Sequence, residues 1–277
     1  MNRRLLLCAL IVGAAAPLRM ASQTPGATSA LRIFIRAGEK THGPGEHDYP
    51  RFLAEWKKLL TDRSAVADGA LRFPTDGELA RTDVLIIYAG DAGNVAAEER
   101  TRLDGYLKRG GGLVVLHDGM CGDDPLWFAT VAGGAKKHGE RNWHRGLLKI
   151  HFEDRSHPVV NGAPDFAMED EMFHMLRMAP EARVLATTAN AQGDIVPQLW
   201  TYERTLPGGR PYRSFVSLQG HHYKNFAMPA YRSLLLRGIA WAGGRAPDTL
   251  LTAVVRSPIP FYGPRYPVRV QGVPGSA

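Results

Sequence analysis

Three stretches of this chain, LRIFIRA (31–37), DVLIIYAG (83–90) and GLVVLHDG (112–119), are nearly unbroken apolar runs rich in β-branched residues. A strand with one face in water alternates apolar and polar positions, whereas a strand covered on both faces need not, so these runs predict buried strands of a parallel sheet. Between them the apolar period lengthens. Phe52, Leu53, Trp56, Leu59 and Leu60 recur at intervals of three and four, which lays one apolar stripe along a helix. Leu103, Tyr106 and Leu107 face inward in a second helix, expected to run from an Asn94 N-cap to Lys108 and to end at Gly110-Gly111-Gly112, where left-handed backbone costs little. Strands alternating with helices predict a doubly wound α/β fold.

The second half is less regular. RGLLKIHF (145–152), ARVLATTA (182–189), IVPQLWTYER (195–204) and PYRSFVSLQG (211–220) read as strands, the last two joined as a hairpin through the Pro-Gly-Gly of 205–210. The segment 229–244 reads as a helix with Tyr231, Leu234, Leu235, Gly238 and Trp241 on one face. No internal repeat is visible. From Arg245 the chain carries six of its nineteen prolines, so 245–277 is expected to be an irregular tail with no core of its own. At the other end, Arg3 and Arg4 precede an apolar run from Leu5 to Ala16, too short for a bilayer and suited to a secretory leader. Ala27-Thr28-Ser29 fits small-x-small cleavage, giving a leader over 1–29, a single domain over 30–244, and an exported, periplasmic protein without a stable membrane span after processing.

The net charge of +7 invites a nucleic-acid reading, but three positive charges (Arg3, Arg4, Arg19) sit in the leader, and 7 − 3 leaves +4 for the mature chain. No run of Lys or Arg interleaved with aromatics follows, so nucleic acid is not an expected partner. Cys121 alone remains after processing, which excludes an intrachain disulfide.

Chemistry-bearing residues gather where strands end, as expected of open α/β sheets. After the first strand come His42, Gly43, Gly45, Glu46 and His47; after the second, Gly90 and Asp91; after the third, His117 and Asp118; after the last, Gly220, His221 and His222. Neutral imidazole binds divalent transition metals and moves protons near neutral pH. The acidic run Glu169, Asp170, Glu171 adds carboxylates, or is a charged helix start. There is no G-x-S-x-G elbow, no P-loop and no complete dinucleotide fingerprint. At the strand-to-turn junction GGGLVVLHDG, where a cysteine nucleophile would stand, the chain has His117, with Cys121 four residues later.

AGEKTHGPGEHDYPRF, GGGLVVLHDG, HPVVNGAPDFAMEDEMF and SLQGHHYKNFAMPAYRSLLLRGIAWAGG together resemble the ThuA-like, or trehalose utilisation, family over residues 31–243. The resemblance implies a flavodoxin-like, class I glutamine amidotransferase-like three-layer α/β sandwich with a mostly parallel central sheet, lacking the amidotransferase cysteine. It also implies carbohydrate catabolism, including disaccharides oxidised to 3-keto sugars. The family's motifs fall on His42, Gly43, Gly45, Glu46, His47, His117, Asp170, Glu171, Gly220 and His221. Where members often carry Trp-Tyr after the acidic motif, this chain has Met172-Phe173, leaving Trp143 and His144 to supply aromatic and polar contacts.

The expectation is therefore an exported enzyme acting on oxidised glycosides or disaccharides. His42, His117 and His221 would hold one divalent metal ion or stabilise an oxyanion. Proton transfer would fall to His47 or Glu171, with His117 as a catalytic group. Gly43, Glu46, Asp91, Trp143, Asp170 and His222 would line the carbohydrate. The competing reading is a non-catalytic sugar-binding or accessory module on the same scaffold.

Overall fold

The computed structural model describes residues 29–253. The expected leader, apart from Ser29, and the proline-rich segment beyond 253 lie outside the described residues. The first half alternates strand and helix, the pattern's elements being joined by an unpredicted β2 and α2: β1 (Arg32–Ala37), α1 (Tyr49–Thr61), β2 (Val66–Ala70), α2 (Asp76–Ala80), β3 (Val84–Tyr88), α3 (Ala97–Lys108) and β4 (Gly112–Leu116). Every residue of β3 and β4 is buried, which is why neither alternates in hydropathy. The pleat sends Val84, Ile86, Val114 and Leu116 to one face, packed with α1, and Leu85, Ile87, Leu113 and Val115 to the other, packed with α3.

Next come β5 (Cys121–Gly122), α4 (Pro125–Ala132), β6 (Gly134–Lys137), β7 (Trp143–Phe152), β8 (Phe166–Phe173), β9 (Arg177–Met178), β10 (Arg183–Ala189), β11 (Ile195–Thr205), β12 (Pro211–Ser217) and α5 (Pro229–Ala242). One nine-stranded sheet has the order β2-β1-β3-β4-β12-β11-β10-β7-β8. Its first four pairings are parallel and its last four antiparallel. The sheet is thus mixed, which corrects the expectation of a mostly parallel one. The short turn between β11 and β12 leaves no room for a crossover helix, and strands joined that way must run antiparallel. Alternation also makes β8 run in the same direction as β12 and β4, so the ends of β1, β3, β4, β12 and β8 face one rim.

Other expectations shift locally. Asn94 does not cap α3: its side-chain oxygen accepts the Asp123 N–H at 2.7 Å, and the helix begins at Ala97 with Glu99 closing back on the Ala96 N–H at 3.1 Å. The acidic run at 169–171 lies in β8 rather than opening a helix. Beyond 245 the chain is still docked as far as Leu250, which is buried, and Asp248 pairs with Arg237 of α5 at 2.6 Å. Gly238 lets α5 lie directly on the sheet, since a Cβ there would meet the Phe215 ring at 2.3 Å.

Candidate functional site

Six non-glycine residues among those described have positive φ, and four stand at the rim: His42 (63°), His47 (42°), Asp91 (46°) and His117 (49°). Such backbone is costly outside glycine and collects at functional sites. His117 opens a one-turn 3-10 segment, His117–Met120, directly after β4. The sharp strand-to-turn junction predicted from sequence is present, with an imidazole where a thiol would attack. Cys121 is buried at 1% exposure, its thiol pushed well up by burial and by Asp118, so it is not an accessible nucleophile.

Each loop is fixed by its own bonds. His47 enters the interior because its N–H donates to the His221 carbonyl at 3.0 Å. Gly220 has φ of 142°, and a Cβ there would press on His117 and Phe226, each at 3.2 Å. Asp170, fully buried, clamps the same loop: Oδ2 accepts from the Gly220 N–H and Asn225 Nδ2, both at 2.9 Å, while Oδ1 accepts from the Glu171 N–H at 2.8 Å and the His222 N–H at 3.3 Å. Asp170 thus orders the loop, both of its carboxylate oxygens being taken up by N–H donors.

These constraints bring His47, His117, His221 and Glu171 together, all buried, with one ligand-capable atom from each inside a 4.8 Å span. His47 Nε2 lies 3.0 Å from His117 Nε2 and 2.8 Å from His221 Nδ1. Glu171 Oε2 lies 3.4 Å from His117 Nε2 and 3.5 Å from His221 Nδ1. His117 Nδ1–H donates to the Leu218 carbonyl at 2.9 Å, which leaves Nε2 facing inward. His47 Nδ1 is 3.0 Å from Thr41 Oγ1 and 3.6 Å from Asp118 Oδ2, so its Nε2 also faces inward. Phe173 stacks on His117, centroids 4.8 Å apart and planes at 14°. Phe173 therefore backs the His117 ring, and Met172 is core.

Ring nitrogens facing one another at 2.8–3.0 Å are at hydrogen-bond distance and need a proton or a metal ion between them. In this structure the charge falls on His117: burial opposes it, but Asp118, Glu171 and Asp170 outweigh burial and raise its pKa to about 9. His47 is driven down to about 2 by burial and by the charges of His117 and His221. Burial alone would raise Glu171, yet hydrogen bonds from His117 and His221 hold it well below the carboxylate range. Three imidazoles and one carboxylate also suit a divalent transition ion, with ligand–ligand spacings close to the roughly 3.3 Å edge of a tetrahedron having 2.0–2.1 Å bonds.

The loop histidine in this group is His47, not His42 as expected. His42 precedes the exposed Gly43–Glu46 turn; its ring stands 4.0 Å from that of His47 and its Nδ1 is 3.1 Å from Thr41 Oγ1. Gly43 shapes that turn, its N–H pointing to Glu46 Oε2 at 3.4 Å. Glu46 Oε1 meets Arg145 at 3.1 Å and His221 Nε2 at 3.4 Å. Asp91 pairs with His138, and burial raises its pKa. Trp143 is 48% exposed, in register with Phe173 and beside Arg145. His222 lines a neighbouring cleft of about 590 Å³, with Gly45, Arg51, Trp56 and Tyr223. Arg145 and Thr41 were not foreseen: an isolated arginine on a strand and a loop threonine carry no signal until the fold sets them against Glu46 and His47.

No helix among the described residues is long and apolar enough to cross a membrane. Comparison with curated proteins gave no match. Among solved structures, a ThuA-like protein from Bacteroides uniformis is 18% identical, covering 84% of this chain and 100% of that one, with a TM-score of 0.62. A ThuA-like protein from Parabacteroides merdae is 19% identical, with coverages of 78% and 91% and a TM-score of 0.60. At these identities the likeness establishes the α/β fold. A family model described as trehalose utilisation matches residues 41–242, from the His42 loop to the end of α5. The chain therefore belongs to the ThuA, or trehalose utilisation, family.

Proposed function

We propose that the chain is a metal-dependent enzyme of carbohydrate catabolism that eliminates the glycosidic oxygen from 3-keto glycosides. The observation that carries this reading is the convergence of His47, His117, His221 and Glu171 from four separate rim segments onto one buried point. Family membership supplies the carbohydrate class. In such a sugar the C3 ketone acidifies the C2 hydrogen. A base takes that proton, the C1–O bond breaks with its electron pair going to oxygen, and a C1=C2 double bond forms. An enone and a free alcohol result, and no oxidant is consumed. A divalent ion held by the quartet would act as a Lewis acid on the ketone.

His47 and Glu171, the proton carriers expected from the sequence, face the quartet's centre and serve as ligands in this reading. The base falls instead to Asp118, whose side chain is 19% exposed and stands 3.6 Å from His47 Nδ1. Asp91, raised by burial despite its pairing with His138 and coupled to Asp118, is suited to return a proton to the leaving oxygen. The inert Cys121 fits a route without a covalent nucleophile.

Untagged protein loaded with Zn²⁺ or Mn²⁺ is expected to convert a methyl 3-keto-glucoside to an enone, followed by near-ultraviolet absorbance. Asp118→Asn is expected to lower kcat by about 10²–10⁴. Loaded protein that binds the glycoside without forming enone would be a sugar-binding module instead. Export by the 1–29 leader belongs to the same reading; N-terminal sequencing of the mature protein should begin near Ala30.

A further inference from the structure

The quartet uses one nitrogen of His221 and leaves the other. Nδ1 faces His47 and Glu171. Nε2 points the opposite way, is buried in a residue of zero exposure, and has no hydrogen-bond partner among the described residues. Its nearest acidic neighbour, Glu46 Oε1, is 3.4 Å off, an ion-pair distance beyond that of a good hydrogen bond. The His222 ring lies edge-on to that of His221 at 4.9 Å. One ligand-capable atom from each of Glu46, His221 and His222 falls within a 4.8 Å span.

We infer that Glu46, His221 and His222 form a second divalent-cation site, joined to the first by the His221 ring as a bridging ligand. The inference rests on the quartet holding the first ion. With Nδ1 bound on one side, the remaining ring proton sits on Nε2; a second ion displaces that proton to solvent, and the imidazolate then carries a lone pair at each nitrogen. Two imidazole nitrogens and a carboxylate favour Zn²⁺ or Cu²⁺ over Mg²⁺ or Ca²⁺.

Arg145 now holds the place of that charge. Its Nη1 lies 3.1 Å from Glu46 Oε1. Its side chain is 41% exposed, so the guanidinium can withdraw into water at little cost. His222 and Gly45 also line the neighbouring cleft, so an ion at this position stands in its wall and can meet an oxygen of a ligand bound there.

The test is a count of ions. Untagged, chelator-stripped protein is titrated with Cu²⁺ or Zn²⁺, desalted and analysed for bound metal per chain. The Cu²⁺ form is also examined by electron paramagnetic resonance. Wild type is expected to hold two ions per chain, with the two Cu²⁺ signals coupled through the imidazolate. The Glu46→Gln/His222→Ala double variant should hold one and show an isolated Cu²⁺ signal. Arg145→Gln should bind the second ion about tenfold more tightly. One ion in both wild type and double variant would overturn the second site and leave the quartet standing. Two in both would place the second ion elsewhere and overturn it as well. None in wild type would remove the quartet reading and this one together.

Discussion

At the residue scale the site turns on His117. An imidazole at a strand-to-turn junction, held in left-handed backbone and backed by Phe173, has the fixed geometry that the proposed ligand role requires. His117→Ala and His47→Ala should each reduce metal affinity by well over the 10–100-fold typical of supporting residues, with circular dichroism confirming the fold. Retained stoichiometric metal in both would contradict the assignment. The same residues set a pH signature in chelator-treated protein. His117 rises from 6.5 to about 9 on folding, so its stabilisation is fully present below 6.5 and is lost as pH climbs to 9. His47 falls from 6.5 to about 2, so the unfolded chain takes up a proton the native one refuses, and stability is lost as pH drops below 6.5. Urea denaturation should therefore give greatest stability near pH 6.5; a steady rise up to pH 9 would contradict it. Sequence made the rim histidines visible because each follows an apolar run. It could not rank His42 against His47, five residues apart, since only the His47 N–H bond to the His221 carbonyl settles which one turns inward.

At the scale of elements, the loop after β12 and the strand β8 depend on each other through Asp170. Removing its carboxylate leaves buried N–H groups of residues 171, 220 and 222 and the Asn225 amide without acceptors. Asp170→Ala should cost about 3–5 kcal/mol, as breaking a buried charge network does, measured by denaturant unfolding. A loss below about 1 kcal/mol would mean that the clamp is replaced by water. Strands covered on both faces, β1, β3 and β4, were legible because continuous hydrophobicity has few other uses. β8 was not: FAMEDEMF carries three consecutive acids, and acids in a row normally signal solvent. Asp170 is tolerated by its four N–H donors and Glu171 by two imidazoles, neither of which is local in sequence. β2, VADGA, escaped notice for the ordinary reason that an edge strand can be polar.

At the scale of the whole molecule, a nine-stranded sheet that is parallel in one half and antiparallel in the other aligns the ends of β1, β3, β4, β12 and β8 along one rim. The family fold was expected from the motifs, but the antiparallel half had to come from coordinates, since pairing among distant strands leaves no local trace. An ion bound by four of these segments, as proposed, would tie the rim together. At a free concentration 100 times its Kd it should add about 2.7 kcal/mol, or roughly 5–10 °C in Tm for a domain of this size. Scanning calorimetry before and after chelation checks this. The most direct measurement of the central claim is anomalous X-ray scattering from crystals of untagged protein, collected at a transition-metal absorption edge. One strong peak is expected about 2.0–2.2 Å from His47 Nε2, His117 Nε2, His221 Nδ1 and Glu171 Oε2. Crystals soaked in Zn²⁺ that show the four side chains in place and no anomalous peak among them would contradict it.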